Sequence, residues 1–190
     1  MTPKMTRERD GHLVKVGGRD AVRFIRRLDH PPERVWRAIT EPDELRRWFP
    51  ADIVGEVTTP GAELSFPFRE GEAETETGVV EQSDPPRLLA YTWGGQSLRF
   101  ELESDGEGCR LTFTHALDRE ETAHTAAGWQ VCFDGLEAAL EDRPKPEFPA
   151  EGWAQLNDGY AADFGVDPEV GRGAYAEYRE AIEQHRRSQG

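Results

Sequence analysis

The stretch from Asp84 to Leu117, DPPRLLAYTWGGQSLRFELESDGEGCRLTFTHAL, leaves a chain few ways to fold. Three runs in it alternate apolar and polar residues with a period of two. Leu89, Tyr91 and Trp93 share one phase; so do Leu98, Phe100 and Leu102, and then Leu111 and Phe113. A period of two is the signature of a half-buried strand. The separators, GG and SDGEG, are far too short for the crossover that parallel strands require, so the three runs must be antiparallel neighbours. His115 falls in the apolar phase of the third run and is expected to point inward beside Phe113.

The same pattern extends upstream. ADIVGEV (51–57), AELSFPF (62–68) and ETETGVVEQ (74–82) read as further short strands, separated by turn-forming TTPG, REGE and SDPP. After the last strand the period changes. LDREETAHTAAGWQVCFDGLEAALE carries Trp129, Phe133, Leu136 and Leu140 at spacings of four, three and four, a single apolar stripe on one long helix. Asp118 and Glu121 resemble a capping box at its start. Gly128 costs helix propensity, about 1 kcal/mol against alanine, which a close approach of helix to sheet would explain.

Ahead of the meander, residues 1–11 are polar, and HLVKVGGRDAVRFIRRL reads as a hairpin around GGRD. Val22 and Phe24 share one face, and Arg26 continues that phase. DHPPERVWRAITEPDELRRWFP then switches to helical spacing. Pro31 and Pro32 suit a helix start, Val35, Trp36 and Ile39 form its buried side, and Pro42 opens a second short helix with Leu45, Trp48 and Phe49. Beyond the long helix, EDRPKPEFPAEG is a Pro-rich connector. Trp153, Leu156, Tyr160 and Phe164 follow at helical spacing, an apolar face expected to dock, and a polar helix ends the chain.

The net charge of −14 argues against an extended nucleic-acid or anionic-membrane surface. No apolar run approaches the roughly 20 residues needed to span a bilayer, and the N-terminus lacks the hydrophobic stretch of a signal peptide. A cytoplasmic protein is expected. Cys109 and Cys132 form no CxxC pair, and the five histidines show no HxxxH or HxH spacing, so neither metal nor cofactor is expected.

Taken in order, HPPERVWRAITEPDELRRWFP, DPPRLLAYTW and CRLTFTHAL…GWQVCFDGLEAAL resemble the START and polyketide-cyclase-like (SRPBCC) superfamily. Within it they are similar to the branch named after the activator of heat-shock protein 90 ATPase. The resemblance covers about residues 20–142. It implies an α+β helix-grip fold: a curved antiparallel sheet of about six to seven strands wrapped around a long C-terminal helix, with two short helices after the first strand and a cavity between sheet and helix. Residues 12–142 would form that domain, and 143–190 a connector and helical extension.

Trp48, Phe49, Phe66, Tyr91, Trp93, Phe100, Phe113, His115, Trp129 and Phe133 are the candidate ligand-binding residues. An aromatic concavity with few polar atoms suits a hydrophobic or aromatic small molecule. The alternatives are a cyclase or aromatase that uses His115 as acid or base, and an interaction or co-chaperone-like module, with a homodimer as a further expectation. Glu101 and Glu103 fall in the outward phase, so no carboxylate partner for His115 is legible on that strand.

Overall fold

The computed structural model describes residues 8–67, 75–147 and 150–188. Phe68, residues 71–74 of the acidic run and residues 1–7 of the polar N-terminus therefore lie outside the described residues. Strands β1 (Gly11–Val16), β2 (Arg19–Leu28), β3 (Glu63–Phe66), β4 (Glu76–Asp84), β5 (Leu88–Trp93), β6 (Gln96–Asp105) and β7 (Gly108–Ala116) form one antiparallel sheet in the order β1-β2-β7-β6-β5-β4-β3. The β1–β2 and β5–β6 turns are both Gly-Gly pairs with positive φ at each position, the backbone that a two-residue hairpin needs and that only glycine adopts without cost.

Register sets the interior. Phe100 lies opposite Phe113, and Phe113 opposite Phe24; Leu98 lies opposite His115, and His115 opposite Val22. These rows face helix α3 (Thr122–Leu140), which lies in the grip of the curved sheet. Helices α1 (Pro32–Thr40) and α2 (Pro42–Leu45) follow β2, each with proline at its start. Trp48 and Phe49 lie just past the end of α2 and are fully buried. Ile25, in the opposite phase from Phe24, is 52% exposed, whereas Arg26 is only 3% exposed. The Arg26 guanidinium bonds Asp10, Asp134 and Glu137 and stands over the Phe133 ring.

Four expectations need correction. Residues 51–57 form no strand; only Val54 bridges to Ser65. Their glycine and scattered polar residues supply no continuous alternation. The Asp118 side chain makes no cap bond; a short 3-10 turn, Arg119–Glu121, precedes α3, and Glu121 bonds Gln96 instead. Gly128 does not meet the sheet, because a Cβ there would have nothing within 4 Å, whereas Gly135 packs against Trp48. Finally, α3 is buried around most of its surface rather than along one stripe.

That last correction follows from the extension. Helix α4 (Ala150–Phe164) packs on α3, and α5 (Pro168–Ser188) reaches it through its first turns. Tyr160 and Phe164 are buried, with Trp153 and Leu156 partly covered against the same core. The Tyr160 hydroxyl accepts the Gly11 backbone N–H at 2.9 Å and donates to Gln130 Oε1. Gly11 admits this ring: a Cβ would stand 3.1 Å from it and 2.7 Å from Phe24.

Candidate functional site

Where β5 turns into β6, the sheet and the first half of α3 diverge and leave a cleft of about 390 Å³. Its lining comes from four places: Trp93, Gly94 and Gln96 at the β5–β6 turn, His115 near the end of β7, Glu76 and Pro50 at the rim, and the start of α3. From α3 come His124, Gly128 and Cys132 at steps of four, with Thr125 and Trp129 beside them. Residues three and four apart share a helix face, so that face is the cleft's wall. Gly128 keeps it open, since any side chain there would enter the cleft.

Of the ten candidate residues, Trp93, His115 and Trp129 line the cleft. Phe49 lies behind the two indoles, with ring centroids 5.4 Å from Trp93 and 5.7 Å from Trp129. Phe66 stacks on Trp93 at 5.1 Å, and Phe113 lies 4.5 Å from Trp129. Phe133 stacks on Trp129 at 5.6 Å, and Trp48, Tyr91 and Phe100 sit deeper, packed ring against ring: Trp48 on Phe133, Tyr91 on Phe100 and Phe100 on Phe113. Three of the ten thus belong to the deeper packed interior and the rest to the cleft or the layer behind it.

A chain of hydrogen bonds crosses the inner wall. The Trp129 indole Nε1–H donates to His115 Nδ1 at 2.9 Å. An indole nitrogen is only a donor, so Nδ1 is unprotonated and the ring proton sits on Nε2. Nε2 then donates to Gln96 Oε1 at 2.8 Å, and Gln96 Nε2 donates to Glu121 Oε2 at 2.8 Å. Both His115 nitrogens are engaged. Burial disfavours the charged ring and pushes its pKa down to about 4, so it is neutral at ordinary pH. His124 is lowered too, by burial acting against the pull of Glu121. Its Nδ1 is buried without a partner among the described residues.

Sequence reasoning overlooked Gln96, Glu76, His124, Thr125 and the open face at Gly128. Two of these carried a signal. Gln96 shares the inward phase of Leu98 and Phe100, one step nearer the turn, and Thr125 is one helical turn from Trp129. Nothing in the sequence marked Glu76, which reaches the rim only because β4 folds back beside the β5–β6 turn.

Among the described residues no three of His, Cys, Asp and Glu converge as metal ligands would, and no helix is long and apolar enough to cross a membrane. Sheet order, gripped helix and cleft define a helix-grip α+β protein. Residues 29–141 match the family described as Activator of Hsp90 ATPase homolog 1-like protein, and the chain belongs to that family. A solved structure of the BPP1335 product from Bordetella parapertussis is 30% identical, covering 84% of this chain and 94% of that one, with a TM-score of 0.59. CalU16 from Micromonospora echinospora is 23% identical over 83% of this chain and 97% of that one, with a TM-score of 0.64. The Aha1 dimer from Colwellia psychrerythraea is 25% identical over 64% of this chain and 96% of that one, with a TM-score of 0.55. Curated proteins yielded no match.

Proposed function

We propose that this protein binds a hydrophobic or aromatic small molecule in the cleft between the β5–β6 turn and the first half of α3. The observation that carries the reading is Gly128. A helix position that costs about 1 kcal/mol as glycine is spent on open space in a cleft lined by two indoles and backed by four further aromatic rings. The cleft's volume falls in the range of small-molecule sites. The occupied nitrogens of His115 favour holding a ligand over proton transfer through that ring. Burial of Tyr160 and Phe164 against α3 leaves an interaction role for that face without support.

An environment-sensitive apolar dye should bind at about one equivalent per chain. Gly128→Leu should abolish that binding while helicity and melting temperature hold or rise, because leucine is the better helix former. Dye binding that persists unchanged in Gly128→Leu would sink the proposal.

A further inference from the structure

We infer that the ligand of this cleft carries a cationic hydrogen-bond donor, a protonated amine on an aromatic or apolar frame, held at Glu76. The inference rests on the cleft being the binding site and concerns what the site selects.

The formal charge among the described residues of the lining is negative. Among the described lining residues Glu76 alone carries a formal charge at neutral pH, and neither lysine nor arginine is among them. The two histidines there do not offset it. His115 is held neutral by its two hydrogen bonds and its burial, and His124 is desolvated. Behind Gln96 stands a second carboxylate, Glu121, which orients the amide so that its carbonyl faces His115.

The position of Glu76 is built into the turn. Gly94 has φ of +56°, and a Cβ on it would stand 2.8 Å from Glu76 Oε1. The exposed carboxylate therefore lies against the bare α-carbon of a residue that has to be glycine, in a lining it shares with Trp93. An ammonium bonded to that carboxylate enters a cleft lined by two indoles, and indole is the side chain whose face attracts cations most strongly. The chain's net charge of −14 draws cations toward the surface from a distance and repels anions. Among the described lining residues an anionic ligand would meet no cation, only neutral donors such as the Thr125 hydroxyl, the His124 ring and the amide of Gln96, the last already engaged with Glu121.

Three probes with one frame test this: tryptamine, 3-ethylindole and indole-3-propionate, titrated calorimetrically into the full chain near neutral pH. They share the indole and differ in carrying a positive, a neutral or a negative tail. Tryptamine should bind about tenfold more tightly than 3-ethylindole, a difference of about 1.4 kcal/mol, and indole-3-propionate most weakly. Glu76→Gln should bring tryptamine to the affinity of 3-ethylindole and leave 3-ethylindole unchanged. Added salt should weaken tryptamine alone. Equal affinities for the three probes, tightest binding of the propionate, or a tryptamine preference that survives Glu76→Gln would overturn the inference while the cleft reading stands. If no probe binds, or if Gly128→Leu leaves binding of all three intact, the cleft reading fails and this inference falls with it.

Discussion

Trp129 and His115 are locked together by a 2.9 Å hydrogen bond from the indole nitrogen to Nδ1. The bond joins the helix to the sheet at the inner wall of the cleft and fixes which ring nitrogen bears the proton. His115→Phe would leave the buried Trp129 N–H and the part-buried Gln96 carbonyl without this partner. A loss of about 1–3 kcal/mol is expected, measured by chemical denaturation near neutral pH.

The same histidine makes stability depend on pH. Its ring titrates at about 4 in the folded chain and near 6.5 when unfolded. Between those values the unfolded state binds a proton that the native state refuses. Stability is therefore fully present above pH 6.5 and falls as pH drops toward 4, by about 1.4 kcal/mol per unit from this one group. His124, also lowered by burial, acts in the same direction. His115→Phe should flatten the profile over this window, with the His124 part remaining. Parallel profiles for the variant and the parent would refute the assignment.

Tyr91 holds a hydroxyl that should not be there on stability grounds alone. The residue is fully buried between Phe66 and Phe100, and its hydroxyl finds no partner among the described residues. Burial raises its pKa, so the phenol stays protonated. Tyr91→Phe removes an unsatisfied polar atom without changing ring packing. An increase of about 1 kcal/mol is expected, and a thermal melt that moves down instead would reveal a bond to that oxygen.

The parts of this fold that were legible in sequence are those set by period and turn chemistry. Strand phase placed Phe100, Phe113 and His115 on one face, and register then put His115 opposite Leu98 and within reach of Trp129. Proline and double glycine marked the helix starts and tight turns. What could not be read depends on elements distant in sequence meeting in space. Gly128 looks like a close-packing glycine until the sheet is seen to diverge from it. Glu76 belongs to an exposed acidic strand until Gly94 comes up beneath its carboxylate. Helical spacing gave Tyr160 a buried side, but its hydroxyl's partners, Gly11 and Gln130, lie 149 and 30 residues away.

The extension is expected to be a working part of the folded unit. Truncation after Glu147 would uncover the side of α3 that α4 protects and leave Gly11 N–H and Gln130 without the Tyr160 hydroxyl. The melting temperature should drop and an apolar dye should bind nonspecifically to the exposed face. A milder test is Tyr160→Phe, which keeps the ring and removes the bonds, at a cost of about 1–3 kcal/mol. A truncated chain that melts with the full one would disprove the docking.

Arg26 presents the sharpest energetic case. Its guanidinium is nearly inaccessible, yet it contacts Asp10 at 2.8 Å, Asp134 at 2.8 Å and Glu137 at 3.3 Å. Three carboxylates around one cation leave a surplus of negative charge at the seam where the N-terminal segment, β2 and α3 meet. Arg26→Met keeps the volume of the stem and its contact with the Phe133 ring but removes the charge. The carboxylates then repel one another in a partly buried place, so a loss of about 3–5 kcal/mol is expected, as for breaking a buried ion pair from one side. Repulsion implies salt dependence: added salt should recover part of the loss in the variant and change the parent little. Arg26→Met combined with Asp134→Asn should be more stable than Arg26→Met alone, because it removes one of the opposed charges. If the double variant is no better and salt has no effect, the cost lies in lost packing and hydrogen bonds rather than in charge, and the ion cluster is not what holds this seam.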